Sequence, residues 1–193
     1  MRFSKKIILA SESPRRKKLI LQLGIKNLEV VKHGINETKF TFNHPISKSV
    51  KKLSEMKATS VKDNPRYKKN IVISGDTIVI RAGKIFHKTK KMTEVNKYLK
   101  LLSNRKHFVY GGLCVISSDG KIFSRAIKTE VYFNKIEDSD ITKEVLQDGL
   151  GKAGGYAIQS LGAKFVKKIR GCYTNIVGIS IPELYKILKS SEI

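Results

Sequence analysis

The residues of this chain with the most chemical potential are the cations Arg15, Arg16, Lys57 and Lys88 and the carboxylates Asp76 and Glu37. The cations can neutralise a polyphosphate. The carboxylates can hold a hard divalent cation through oxygen, or take a proton from water. Phosphoryl transfer asks little covalent help of a protein, because positioning and charge neutralisation supply most of the rate. Cations plus acids are therefore a sufficient toolkit for that reaction class. The chain has no Walker A sequence, no GxGxxG after a strand, no HExxH and no GxSxG, so the classes those motifs mark lose their usual support.

Two elements must position this chemistry. Ile7-Ile-Leu-Ala10 is a short apolar run suited to a buried strand, and it runs directly into Ser11-Glu-Ser-Pro-Arg-Arg16. Ser13 is a good N-cap and Pro14 suits a first helical position, so a helix starts where two guanidiniums follow. Backbone N–H groups, the positive end of the macrodipole, the hydroxyls of Ser11 and Ser13 and the forks of Arg15 and Arg16 would converge on one anion. A capped surface helix with solvated arginines fits the same local sequence. The second element is Ile71 to Ile80, the most apolar stretch of the chain, which reads as a central strand with Asp76 at its middle. A carboxylate there pays a large desolvation cost unless it meets a cation or a metal. The other reading is a Gly-Asp turn joining two short strands.

The remaining pattern is α/β. Gly24 is placed as the C′ residue ending the first helix, and residues 28–32 as a second strand. A helix over residues 45–62 carries Ile46, Val50, Leu53 and Val61 on one stripe, with Lys57 on it too. Lys57 then either turns inward or snorkels past its apolar stem. Lys62, at the end of that helix, reads as a surface lysine. A turn at residues 81–84, a helix capped by Thr93 and ending at Leu102, and two long strands over 106–117 and 121–133 joined by Ser-Asp-Gly follow. The last third holds a helix from Ser139 to Gly149, strand-like stretches at 163–166 and 175–178, and a helix over 182–189. Alternating strands and helices with a long hairpin imply α/β with a mixed sheet and flanking helices, and 193 residues with 40% hydrophobic content suit one domain or two lobes around a shared sheet.

Composition bounds the partners. Lys and Arg number 39 against 16 Asp and Glu, a formal net charge of +23, but the lysines are spread over nearly every segment and no block of five appears. Weak, salt-sensitive and non-specific nucleic-acid binding follows from charge alone. Four apolar residues after the charged start are too few for a secretory signal, and no run approaches a membrane span. Cys114 and Cys172 lie far apart with no CxxC, which excludes a structural zinc site and implies a reducing, cytoplasmic compartment.

Taken in order, these landmarks resemble the Maf family of nucleoside triphosphate pyrophosphatases over nearly the whole chain, residues 1–193. Leu9-Ala-Ser-Glu-Ser-Pro-Arg-Arg16 with Leu19 and Gly24-Ile25 is similar to the family's N-terminal signature. Gly34-Ile-Asn-Glu37, Lys57-Ala58, Gly75-Asp-Thr77, Gly83 with Lys88, His107, Lys152 to Gln159, Gly171 and Asn175-Ile-Val-Gly178 continue the series. The resemblance implies an elongated, two-lobed fold with a central cleft. It also implies hydrolysis of a nucleoside triphosphate between its α and β phosphates with a divalent metal, Mg²⁺ or Mn²⁺. By motif match Asp76 is the catalytic acid and, with Glu37, the metal ligand; Ser11, Arg15, Arg16, Lys57, Thr77, Lys88 and Gln159 bind substrate. Thr77 after Asp76 resembles the subgroup acting on dTTP and UTP in nucleotide house-cleaning, and a homodimer is left open. The competing expectation is a basic nucleotide-sensing, division-regulating factor without turnover; it would have no need of a carboxylate facing a polyphosphate. Thr89 stands where the family usually has Pro, and Gly151 where it commonly has Asp. His87 reads as an incidental loop histidine, and Tyr156 and Tyr173 as packing aromatics.

Overall fold

The computed structural model describes residues 6–190. Its strands form one seven-stranded sheet in the order β2-β1-β3-β5-β6-β7, with β4 paired to β3. Strands β1 (Ile7–Ala10), β2 (Leu28–Val31) and β3 (Ile71–Arg81) are parallel neighbours, with Ile7 beside Leu28 on one side and Ile71 on the other. β4 (Lys84–Phe86) folds back antiparallel on β3 through Ala82 and Gly83, both at positive φ. β5 (Lys106–Ile116) and β6 (Ile122–Phe133) form the long hairpin, and β7 (Val166–Arg170) pairs antiparallel with β6. The sheet is mixed, as the alternating pattern predicts.

The chain divides into two compact units. Among the described residues, the first comprises 6–76, 111–127 and 178–190. It carries the helices α1 (Pro14–Leu21), α2 (Ile46–Lys62) and α6 (Ile181–Ser190). Its core gathers Ile8 and Ala10 of β1, Ala58 and Val61 of α2, Val72 of β3 and Cys114 and Ile116 of β5. β1 is buried along its whole length, which is why its sequence is a continuous apolar run. The second unit comprises residues 77–110 and 128–177, with α3 (Met92–Leu102), α4 (Lys143–Gly149) and the short α5 (Tyr173–Val177). Its interior includes an aromatic cluster in which the rings of His107, Phe133 and Tyr156 meet edge to face at 4.8–5.5 Å.

Several boundaries differ from the sequence reading. β3 is unbroken from Ile71 to Arg81, so Asp76 lies within a strand and not in a hairpin turn. α3 starts at Met92 with Lys91 as N-cap, ahead of Thr93. Residues 138–140 form only a 3₁₀ turn, and α4 is capped by Thr142, whose hydroxyl accepts from Val145 N–H. The stretch 161–165 is 3₁₀ helix and the strand follows it. Residues 175–177 lie in α5 instead of a strand; the buried Asn175 amide donates to Val109 O at 3.3 Å and Thr129 Oγ1 at 3.1 Å, a pull no local pattern reveals. α1 ends with Gln22 as C-cap, which makes Gly24, at φ +75°, the second residue beyond the cap instead of the first. Lys62 is buried, donating to the carbonyls of Asn70 and Ser117 at 2.6 Å each, and ties the end of α2 to the residue before β3 and the residue after β5.

Candidate active site

The start of α1 is built as its sequence implies. Ser13 Oγ accepts from Arg16 N–H at 3.4 Å as N-cap, with Pro14 opening the helix. Ser11, buried at the end of β1, takes Ser13 N–H at 3.3 Å and Arg16 Nη1 at 3.0 Å on its hydroxyl. Arg16 is only 6% exposed, and its Nε donates to Gly178 O at 2.8 Å. Burial lowers the pKa of this guanidinium, while the charges of Asp76 and then Glu37 act to raise it and that of Arg15 to lower it. The guanidinium is thus a fixed positive charge held against the acids, and the solvated-arginine reading fails for Arg16. Arg15 is half-buried. Gly75 permits the close approach, since a Cβ there would lie 3.2 Å from Gly112 O and 3.3 Å from Arg16 Nε.

Lys57 turns inward. It is 1% exposed, and its Nζ lies 2.7 Å from Asp76 Oδ1 and 2.9 Å from Glu37 Oε1. α2 supplies the lysine, β3 the aspartate and the 3₁₀ turn Glu37–Lys39, capped by Asn36, the glutamate. Two carboxylates sharing one ammonium meet the requirement that a buried charge be paired. His33 Nε2 lies 3.2 Å from the same Glu37 oxygen; sequence reasoning missed it, because residues 33–36 are not helical and their spacing from Glu37 carries no periodic signal.

The second carboxylate oxygen of Asp76 is buried and has no hydrogen-bond partner. An orphaned anionic oxygen of this kind is what a hard cation or a reacting water would satisfy. The residues therefore fit a divalent metal in their donor chemistry. No cluster of three or more His, Cys, Asp or Glu that could hold an ion occurs among the described residues. Mg²⁺ is commonly bound by one or two carboxylates, with water and substrate phosphates completing its shell, so two acids suffice.

Ser11, Arg16, Glu37, Lys57 and Asp76 are thus assembled in the first unit, with Arg15 on the same helix. Thr77, Lys88 and Gln159 belong to the second: Thr77 on β3, Lys88 exposed after β4, and Gln159 exposed in the turn before the 161–165 helix. His87 is exposed beside Lys88. Tyr156 packs inside as expected, its hydroxyl 2.8 Å from His107 Nε2, whereas Tyr173 is 45% exposed and does not serve as a core aromatic.

The family model described as "Maf-like protein" matches residues 6–191. The chain belongs to the Maf family. The dTTP/UTP pyrophosphatase of Clostridium perfringens (strain 13 / Type A) is 38% identical over 97% of this Maf chain and 98% of its own length. That of Mesorhizobium japonicum is also 38% identical, over 97% and 92%, and that of Agrobacterium fabrum 35% identical, over 95% and 90%. The solved structure of the Staphylococcus aureus Ham1 protein aligns with 97% of the Maf chain at 13% identity and a TM-score of 0.49, too loose a likeness to carry any inference. Among the described residues of the Maf chain, no helix is long and apolar enough to cross a membrane.

Proposed function

We propose that this chain is a nucleotide house-cleaning enzyme that hydrolyses dTTP and UTP to the monophosphate and pyrophosphate. Relatives at 35–38% identity over nearly the full length carry the name dTTP/UTP pyrophosphatase. The observation that carries the reading is the Asp76 carboxylate, anchored by one oxygen on buried Lys57 while the other is buried and unpartnered. A pure binder has no need of a carboxylate oxygen without a hydrogen-bond partner facing a polyphosphate.

In the proposed reaction Asp76 Oδ2 takes the proton of a water that attacks the α phosphorus. The bond from that phosphorus to the α–β bridging oxygen breaks, and pyrophosphate leaves. Lys57 and Glu37 fix the carboxylate in place, and Arg16, held by Ser11 and Gly178, supplies positive charge that needs no reorganisation during the reaction. A divalent cation held by Asp76 and Glu37 would supply further neutralisation of the phosphates. Substrate binding by Arg15, Thr77, Lys88 and Gln159, and the pyrimidine preference attached to Thr77, rest on the motif match. Assaying pyrophosphate release over a panel of nucleoside triphosphates, with Mg²⁺ and with Mn²⁺, tests this. The expected result is the highest kcat/KM for dTTP and UTP with no free phosphate; preference for a modified purine triphosphate would overturn the substrate assignment, and no turnover of any triphosphate would overturn the enzyme.

A further inference from the structure

One face of the second unit sets cations beside aromatic rings. Along β5, residues 106, 108 and 110 point away from the buried His107 and Val109; along β6, residues 128, 130 and 132 point away from the buried Thr129, Val131 and Phe133. β7 extends this face, because Arg170 pairs with Glu130 and Lys168 with Tyr132. The aromatic members are Phe108, Tyr110 and Tyr132, all partly exposed, and the cations Lys106, Lys128, Lys168 and Arg170, all exposed. Lys128 Nζ stands 4.1 Å from the Phe108 ring centroid, Lys106 Nζ 5.2 Å from the same ring, and the Arg170 guanidinium carbon 5.7 Å from the Tyr132 ring. The rings of Phe108 and Tyr110 are 6.5 Å apart.

We propose that this sheet face binds single-stranded nucleic acid, with bases stacked on Phe108, Tyr110 and Tyr132 and phosphates paired with the flanking cations. A single strand offers a phosphate beside each base as this face offers a cation beside each ring, and stacking tolerates any base because each has a π-face. The one acid on the face, Glu130, is engaged internally: it accepts from the Tyr132 hydroxyl at 2.6 Å and lies 4.0 Å from Lys106. Charge argues against a second copy of the chain as the occupant, since an isologous contact would bring these cations against themselves. The inference is independent of the proposed hydrolysis, because every residue it uses is outside the Asp76 site.

The test is fluorescence anisotropy of a labelled poly-dT oligonucleotide with the intact chain over a salt series. Phe108→Leu keeps the charge and removes a ring, and should weaken binding about 5-fold to 100-fold. The pair Lys128→Gln/Arg170→Gln should flatten the dependence of log K on log salt by about 1.4, two phosphate contacts' worth. Lys17→Gln/Lys69→Gln, an equal loss of exposed charge in the first unit, should leave both nearly unchanged. If Phe108→Leu fails to fold by circular dichroism, Tyr132→Leu takes its place. Equal effects of the two charge pairs, indifference to loss of the rings, equal affinity for duplex DNA, or a dimer in sedimentation that Lys128→Glu dissociates would each overturn the proposal.

Discussion

At the scale of single residues, the Asp76–Lys57 pair decides both stability and chemistry. Asp76→Asn keeps the shape and leaves Lys57 its contact with Glu37, so the circular dichroism spectrum should be unchanged while pyrophosphate release falls about 10²-fold to 10⁴-fold. Near-normal turnover in that variant would remove Asp76 from the mechanism. Lys57→Met is the opposite case, because it strips the cation from a carboxylate that is 2% exposed. Breaking a buried pair in this way costs about 3–5 kcal/mol, whereas replacing both partners by apolar groups costs far less. Urea unfolding of Lys57→Met, Asp76→Leu and the double variant should show the double variant more stable than Lys57→Met alone; simple additivity of the two losses would mean that the ion pair contributes nothing specific.

At the scale of elements, the site depends on how closely α2 lies on the sheet. A Cβ at Gly112 of β5 would stand 2.1 Å from Val50 O and 2.2 Å from Ser54 Oγ, both on α2. Ser54 can rotate its hydroxyl away, but the Val50 carbonyl is backbone and cannot yield without moving the helix, so Gly112→Ala should destabilise the fold by about 3 kcal/mol, at the upper end of ordinary overpacking costs. Because Lys57 rides on the same helix, turnover at a temperature where the variant is still folded should fall as well. A variant with wild-type unfolding midpoint and activity would show that the helix is not held at this distance. Gly112 carries no positive φ, and no sequence motif singles it out; its requirement exists only because a helix crosses there.

At the scale of the whole molecule, the acid response of folding is set in part by His107. Burial, with the charge of Arg81 nearby, pushes its pKa down to about 3 from the ordinary 6.5, and its Nδ1 has no partner. The unfolded chain therefore binds a proton that the folded chain refuses between these two values. The contribution of this histidine to stability is full above pH 6.5 and is lost as pH falls toward 3, at up to about 1.4 kcal/mol per pH unit. Thermal unfolding from pH 7 to 4 should show this loss, and His107→Gln, which can still reach the Tyr156 hydroxyl but does not titrate, should make the curve shallower. An unchanged slope would assign the acid sensitivity to other groups.

Much of this protein was legible in its residues taken in order. The cap at Ser13 and Pro14, the apolar runs of β1 and β3, the inward stripe of α2 and the hairpin of β5 and β6 are local signals, each written within a few turns or strand repeats. The same ordered motifs carried the family. Tertiary structure decided which charges meet. Arg16 is held by Gly178, 162 positions away, and this contact turns an arginine that could have been solvated into a buried fixed charge. Lys57 could have snorkelled; it points inward because β3 places Asp76, and the loop places Glu37, within 3 Å of its amine. Lys62 was misread as a surface residue, and 175–178 as a strand, for the same reason. Periodicity and propensity describe a segment against water, whereas burial, and the pairing that makes it tolerable, depend on which distant segment packs over it.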